Sequence, residues 1–246
     1  MIPHNRKLTL SIIIRSILFN CFFYLLITLG VIFWLVPMSF SNSPKPMRNA
    51  IGKMIDMIIW MYENMTNIKI EERGIENIPT DKGFIFCSKH MSNMDALVLY
   101  RRSPTLTALA KKELFRVPLL NLVFKKMGVI AINRGAREAQ KQTPVIAKIL
   151  RDKKIPMIIF AEGTRTLVGE RRPLKSGAYF YQREADLDII VVAHNAGVCW
   201  PKKSWIKWPG KLIVDYFESM PKNMNKESFM KEIEVRLLDR SEELML

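Results

Sequence analysis

Residues 84–95 have the sequence Phe84-Ile85-Phe86-Cys87-Ser88-Lys89-His90-Met91-Ser92-Asn93-Met94-Asp95. The first four residues are apolar and predict a short buried strand, and Ala96 to Tyr100 predict the start of a helix. The histidine and the aspartate that follows it five positions later therefore lie on a strand-to-helix turn. Ligands of open α/β sheets bind outside the carboxyl ends of the strands, so this turn is a candidate for a functional site.

His90 and Asp95 are candidates for a general base and its orienting carboxylate. An aspartate one helical turn beyond the bend can hold the imidazole, fix its tautomer and raise the basicity of its other ring nitrogen. The spacing alone is equally consistent with chance or with Asp95 as a helix cap, because the chain contains three histidines.

Elsewhere, strand-like apolar runs alternate with helical patterns, which is typical of a mostly parallel sheet with crossover helices. The predicted strands are Ile68–Glu71, Phe84–Cys87, Leu106–Ala110, Val129–Ile132, Met157–Phe160, Ile189–Ala193 and Leu212–Phe217. The predicted helices are Ala96–Arg101, Pro118–Met127, Ala136–Asp152, Ala178–Ala185 and Lys226–Leu244. The sequence thus predicts one α/β domain over residues 67–246, with a mostly parallel sheet flanked by helices.

The N-terminal part predicts a membrane anchor. Ile17–Val36 is nearly unbroken apolar sequence, about long enough to cross a bilayer core and longer than the apolar region of a signal peptide. Met47–Met65 has apolar residues at helical spacing and predicts a second, amphipathic helix. Basic residues flank both segments, which favours a two-helix membrane-associated hairpin over residues 1–66 with both ends on one side of the membrane. The alternative is that the second helix belongs only to the protein core.

The composition narrows the choice of partners. The formal net charge is +15, so nucleic acid and an anionic membrane surface are both candidates. The chain lacks a recognisable nucleic-acid motif, and its apolar N-terminus favours the membrane. Three widely spaced cysteines in apolar runs indicate reduced thiols in a cytosolic compartment, and no Cys or His spacing indicates a metal site.

Other basic and acidic residues follow predicted strands at the same edge of the sheet. Glu162-Gly163-Thr164-Arg165 comes after Met157–Phe160; the glycine allows backbone N–H groups to approach a ligand, and the arginine can bind phosphate through two nitrogens. Arg134 follows Val129–Ile132, and Lys111-Lys112 follows Leu106–Ala110. For Glu162 and Arg165 the alternative is an ion pair on the protein surface. For Lys111 and Lys112 the alternative is ordinary solvent-exposed charges.

Taken together, these blocks resemble the 1-acylglycerol-3-phosphate acyltransferases over roughly Ile68 to Pro221. The resemblance implies that His90 is the general base and Asp95 its orienter. It also implies the acceptor-binding residues, which are Lys112, Arg134, Glu162, Gly163, Thr164 and Arg165, with Lys112, Arg134 and Arg165 around a phosphate. The chain departs from the family pattern at Ser88-Lys89, where an asparagine usually precedes the histidine, and at Ala161 and Val191, where proline is common.

The function implied by the resemblance is transfer of a fatty acyl chain from acyl-CoA or acyl carrier protein to the sn-2 hydroxyl of lysophosphatidic acid, which gives phosphatidic acid. No cofactor is expected beyond the acyl donor, and the expected location is the cytoplasmic face of a bacterial inner membrane. Two alternatives remain open: the same chemistry on glycerol 3-phosphate or another lysolipid, and a non-catalytic protein that binds anionic lipid.

Two features at and after the predicted strand Ile189–Ala193 have open interpretations. His194 ends the predicted strand Ile189–Ala193 and is expected to pack, because no carboxylate stands beside it at a suitable spacing. The tryptophans Trp200, Trp205 and Trp208 alternate with lysines and prolines, which suits either the headgroup boundary of a bilayer or a packed loop.

Overall fold

The fold is a seven-stranded sheet flanked by helices. The structure is a computed structural model that describes residues 6–117, 119–132 and 136–246. At residues 111 and 136–140 it describes the backbone only. The strand order is β1-β7-β6-β2-β5-β3-β4. The strands are β1 (Ile68–Arg73), β2 (Phe84–Ser88), β3 (Thr107–Lys111), β4 (Ile130–Ile132), β5 (Met157–Phe160), β6 (Asp188–His194) and β7 (Gly210–Tyr216). The sheet is mostly parallel, which confirms the predicted fold class.

Eight helices are described in this part of the chain. They are α1 (Leu10–Ser39, with a π-helical segment at Val31–Leu35), α2 (Lys45–Thr66), α3 (Met94–Arg102), α4 (Leu120–Met127), α5 (Ala136–Asp152), α6 (Gly177–Ala185), α7 (Ala196–Cys199) and α8 (Lys226–Ile233). The last continues through the π-helical segment Glu234–Asp239 into Arg240–Glu243. Single 3₁₀ turns lie at Ile75–Asn77 and Lys112–Arg116.

The sheet has one antiparallel junction, which the sequence did not predict. β6 pairs with β7 in antiparallel fashion, whereas β2 pairs in parallel with both β5 and β6. Ser88, the last residue of β2, is in register with Phe160 of β5 and Val192 of β6. The carboxyl ends of these central strands therefore meet at one edge, and the segments after β2 and β5 are neighbours there.

Alternating side chains of the central strands enter two separate cores. Phe84 and Phe86 pack on one face against α1, α2 and α3, and Ile85 and Cys87 pack on the other against α5, α6 and α8. All four side chains are fully or almost fully buried. Covering both faces in this way is typical of a parallel sheet, and it explains why β2 is a continuous apolar run.

The N-terminal helices form an antiparallel hairpin. Phe19 lies edge-on to Tyr62, and a side chain at Gly30 would collide with Met54, so the two helices approach closely along most of their length. α1 is 30 residues long and apolar enough to cross a membrane, and only 17% of its most apolar window is buried in the protein. The exposed apolar residues on α1 include Leu10, Ile14, Ile17, Leu18, Phe22, Leu25, Leu29, Phe33 and Trp34. Membrane insertion of this hairpin stays a prediction.

The second helix also contributes to the core under the sheet. Ile55, Ile58, Ile59 and Tyr62 are buried in the same cluster as Phe84 and Phe86. The opposite side of α2 exposes Met57 and Trp60, so the helix has an outward apolar face as well. One face of α2 thus joins the core and another faces outward, and membrane association of this helix stays a prediction.

An aromatic cluster holds α1 against the loop before β7. Trp200 is buried against Phe19, Phe23 and Tyr62, with ring centroids 5.4–6.1 Å apart. Lys207 is also buried; its ammonium lies 4.0 Å from the centroid of the Trp200 ring and donates hydrogen bonds to Asn20 Oδ1 and the Trp205 carbonyl. Trp205 is half exposed. Trp200 thus belongs to a packed loop, whereas Trp205 is free to contact other surfaces.

Replacing Lys207 by methionine should remove part of the pH dependence of stability. Burial lowers the pKa of Lys207 to about 7, against about 10.4 in an unfolded chain. Between these values the unfolded chain binds the extra proton, so the free energy of unfolding rises with pH. From pH 7 to pH 9, we expect the unfolding midpoint of the detergent-solubilised wild type to rise by at least about 2 °C more than that of Lys207→Met. Parallel changes in the two proteins would contradict this assignment.

Candidate active site

The candidate active site lies at the carboxyl ends of β2 and β5. His90 is the second residue after β2, and Glu162 is the second residue after β5. Because Ser88 and Phe160 are in register, the turns that follow them lie side by side. The fold therefore brings together two blocks that are 72 residues apart in the sequence.

The histidine and aspartate form the predicted pair. His90 Nδ1 lies 2.9 Å from Asp95 Oδ2, and the same oxygen accepts hydrogen bonds from the backbone N–H groups of Met91 and Ser92 at 2.7 and 2.8 Å. Asp95 lies in the first turn of α3 and is buried. The backbone donors fix the carboxylate, and the carboxylate in turn fixes the ring of His90.

The other ring nitrogen of His90 faces a cation. Arg165 Nε donates a hydrogen bond to His90 Nε2 at 3.1 Å, and the imidazole stacks on the ring of Phe160 with centroids 3.8 Å apart. An arginine can only donate, so Nε2 carries the lone pair and the proton of the neutral ring is assigned to Nδ1. This is the tautomer that a general base requires, with its basic nitrogen next to a group that can bind an anion.

Glu162 holds the backbone of the catalytic turn. Its Oε2 accepts a hydrogen bond from His90 N at 3.2 Å, and the Thr166 hydroxyl lies 3.2 Å from the same oxygen. Thr166 N also donates to the His90 carbonyl at 2.8 Å. The side chain of Glu162 is fully buried. Its described contacts are therefore with the protein, and its predicted contact with an acceptor stays a prediction.

Lys89, directly before the histidine, completes this network. Its side chain is fully buried, with Nζ 3.4 Å from Glu162 Oε1 and 3.2 Å from the Glu170 carbonyl. The Lys89 carbonyl accepts a hydrogen bond from His194 Nε2 at 3.0 Å. Lys89 stands where the resembling family usually has asparagine, and here it links the turn after β2 to the turn after β5.

His194 is buried next to the backbone of Lys89 and the carboxylate of Asp95. Its Nε2 binds the Lys89 carbonyl, its Nδ1 accepts the N–H of Ala196 at 3.3 Å, and the ring lies 3.9 Å from Asp95 Oδ1. Both ring nitrogens are engaged by the backbone. This agrees with the predicted packing role and leaves His90 as the candidate base.

Breaking the buried ion pair of Lys89 and Glu162 should be costly on either side. Removing one partner leaves the other charge buried and uncompensated, which typically costs about 3–5 kcal/mol. We expect Lys89→Met and Glu162→Gln each to lower the unfolding midpoint more than the double variant Lys89→Met/Glu162→Gln does. Losses that simply add in the double variant would show that the two side chains are not coupled.

The other predicted residues that the structure describes lie around the same edge. Gly163 has φ of +69°, which favours glycine, and its N–H bonds the Phe160 carbonyl at 2.9 Å. Thr164 is exposed beside it. Lys112 is exposed directly after β3, which is two strands away from β2, or about 10 Å. Arg134 lies outside the described residues, so its place at the phosphate stays a prediction.

Three supporting residues were not identified from the sequence. They are Lys89, Thr166 and Lys202, whose Nζ donates to the Arg165 carbonyl. A lysine between an apolar strand and a histidine was a usable signal for Lys89, because a charged residue there must be exposed or paired. No local signal marks Lys202, which is 37 residues from its partner.

Comparison with known proteins extends over most of the chain. The model of the acyltransferase family matches residues 69–195. The 1-acyl-sn-glycerol-3-phosphate acyltransferase of Pseudomonas aeruginosa is 32% identical over 207 residues, which are 82% of this chain and 78% of that protein. The protein of the same name from Borreliella burgdorferi is 34% identical over 140 residues, 56% of this chain and 54% of its own length.

A solved structure has the same fold. The crystal structure of the 1-acyl-sn-glycerophosphate (LPA) acyltransferase PlsC from Thermotoga maritima matches with a TM-score of 0.71 and 24% identity, over 94% of this chain and 97% of that one. The matched family region contains the turn of His90 and Asp95 and the turn of Glu162 to Arg165. From the family model and the Pseudomonas relative, the chain belongs to the family of 1-acyl-sn-glycerol-3-phosphate acyltransferases.

Proposed function

We propose that this protein transfers a fatty acyl chain from acyl-CoA or acyl carrier protein to the sn-2 hydroxyl of lysophosphatidic acid, which gives phosphatidic acid for phospholipid synthesis. The observation that carries the proposal is the pairing of Nε2 of His90 with the guanidinium of Arg165. A general base thus lies next to a group that binds phosphate, as an acceptor with both a hydroxyl and a phosphomonoester requires. The names of the Pseudomonas and Borreliella relatives support the same acceptor.

In the proposed reaction the acceptor alcohol attacks the thioester directly. His90 Nε2 removes the hydroxyl proton as the new C–O bond forms, and Asp95 stabilises the resulting imidazolium through Nδ1. The C–S bond then breaks, and the imidazolium returns the proton to the leaving thiolate. The reaction forms no covalent enzyme intermediate, so it needs no serine or cysteine nucleophile.

Arg165 links acceptor binding to this proton transfer. In the free protein its Nε hydrogen-bonds the lone pair that the base must use. A phosphate dianion competes for the guanidinium, because charge-assisted bonds to phosphate are stronger than a bond to a neutral imidazole. Binding of the acceptor phosphate would therefore draw the side chain away and free Nε2 beside the acceptor hydroxyl.

The proposed location is the cytoplasmic face of a bacterial inner membrane. The hairpin of α1 and α2 presents apolar side chains outward, as a membrane-associated element does. Soluble thioester donors are made in the cytoplasm, and a hairpin with both ends on that side keeps the site accessible to them. Membrane lipids, lysophosphatidic acid and the acyl donor are the proposed partners.

A transfer assay with parallel acceptors tests the proposed function. Purified protein in detergent is given labelled acyl-CoA or labelled acyl carrier protein, together with lysophosphatidic acid, glycerol 3-phosphate or a monoacylglycerol that lacks phosphate. We expect product from lysophosphatidic acid and little from the other two acceptors. Equal rates with monoacylglycerol would refute the phosphate requirement, and binding to anionic vesicles without any transfer would favour the non-catalytic lipid-binding alternative.

A further inference from the structure

Lys175 lies directly over the turn that carries Arg165, although it is ten residues later in the chain. A Cβ atom at residue 163 would collide with the Nζ and Cε atoms of Lys175. The end of the lysine side chain thus occupies the space that any side chain at residue 163 would need. The absence of a side chain at Gly163 is what lets the ammonium reach the turn.

The backbone fixes the start of this lysine side chain. Lys175 N donates a hydrogen bond of 2.8 Å to the Ala161 carbonyl, which is the first residue after β5. Lys175 also stands two residues before α6. The backbone of Lys175 is therefore tied to the same strand end that positions Glu162, and its side chain extends over Gly163.

The charges around this turn favour an anion. Arg165 and Lys175 both reach the turn, and Lys202 binds the Arg165 carbonyl. Of the nearby carboxylates, Glu162 is paired with Lys89, and Glu170 binds Arg172 and the N–H of Leu167. Among the described residues, no carboxylate lies within ion-pair distance of Lys175, so its charge is available to a ligand.

We propose that Lys175 binds the acceptor phosphate together with Arg165, an inference that rests on the proposed function. A phosphomonoester dianion has three terminal oxygens. The planar guanidinium suits two of them, and a lysine ammonium serves as a compact point charge for the third. Gly163 suits this turn in two ways: its positive φ favours glycine, and it leaves space for the side chain of Lys175.

Phosphate groups could come from the acceptor or from the acyl donor, and kinetics separate these sources. For Lys175→Met we expect KM for lysophosphatidic acid to rise about tenfold or more, with KM for acyl-CoA unchanged and Lys175→Arg in between. Lys153→Met is the matched control, because Lys153 is exposed after α5, at the opposite edge of the sheet. A rise only in KM for acyl-CoA, or no change in either KM, would overturn the proposal.

Gly163→Ala provides a second variant that tests the same contact. The new methyl group displaces the Lys175 ammonium, so KM for lysophosphatidic acid should rise in the wild-type background. In the Lys175→Met background that contact is already lost, and we expect a smaller further rise. Equal effects of Gly163→Ala in both backgrounds would show that Gly163 does not act through Lys175.

Ligand-induced thermal stabilisation tests the phosphate site without turnover. Glycerol 3-phosphate should raise the unfolding midpoint of the wild type, and glycerol should not. We expect the rise to be strongly reduced in Lys175→Met and kept in Lys153→Met; an equal rise in Lys175→Met would overturn the proposal. If wild type binds glycerol 3-phosphate through Lys175 but does not acylate lysophosphatidic acid, the proposed function fails and the site assignment stands.

Discussion

Replacing His90 by alanine should lower kcat for acyl transfer about a thousandfold, the range expected for loss of a general base. The hydroxyl of the acceptor would then lose the group that takes its proton, and His194 cannot replace it because the backbone engages both of its ring nitrogens. KM for both substrates should change little, since the phosphate-binding side chains remain. Initial rates at saturating substrate measure the effect.

The His90 variant needs a check on folding. The imidazole stacks on Phe160, so its loss leaves a gap at the surface of the site. An unfolding midpoint within a few degrees of the wild type would show that the fold persists. Transfer at the wild-type rate in a folded His90→Ala protein would eliminate His90 as the base.

Replacing Arg165 by glutamine should have two opposite effects. Transfer to lysophosphatidic acid should fall about a hundredfold, because the bidentate contact to phosphate is lost. Hydrolysis of acyl-CoA in the absence of acceptor should rise, because Nε2 of His90 is no longer occupied by the guanidinium and can activate water. Release of free thiol, measured with and without lysophosphatidic acid, reports both rates.

Arg165→Lys separates charge from geometry. It keeps a cation for the phosphate but cannot form the planar two-nitrogen contact, so transfer should fall less than in Arg165→Gln. Thioester hydrolysis that stays at the wild-type level in Arg165→Gln would contradict the view that Arg165 restrains the base. In that case the contact with His90 would have no catalytic consequence.

Local patterns were sufficient to predict the strands. All seven predicted strands are present, with ends that differ by at most two residues, because each central strand is apolar on both faces and bounded by polar turns. The direction of β7 was not predictable in the same way. Antiparallel pairing of β6 with β7 depends on the path of the chain from Trp200 to Gly210, which no local pattern specifies.

The contact between His90 and Asp95 was predictable from the sequence, and the residues that surround this pair were not. His90 and Asp95 lie in one turn, so five residues of sequence determine whether they can meet. Lys89 and Glu162 meet only because β2 and β5 are adjacent, which depends on a sheet order that the sequence of one chain did not provide. Gly163 and Lys175 meet because the segment between β5 and α6 folds back on itself, and no local pattern specifies that path.

For the N-terminal hairpin, too, the sequence predicted one part of the structure and not another. Its apolar character was evident from Ile17–Val36. The docking of α1, however, depends on Trp200 and Lys207, which lie 181 residues after Phe19 and 187 residues after Asn20. A lysine buried among aromatic rings has no local signature, because α1 supplies part of its environment through Phe19 and Asn20. The antiparallel packing at Gly30 and Met54 likewise required the structure.

The position of the transferred acyl chain tests the central claim most directly. Purified protein would receive 1-acyl lysophosphatidic acid and acyl-CoA with a labelled acyl group, and the lipid products would be analysed by mass spectrometry after position-specific hydrolysis. We expect phosphatidic acid with all of the label at the sn-2 position, and almost none with His90→Ala. Label found only in free fatty acid, or no phosphatidic acid from folded wild-type protein, would contradict the proposed function.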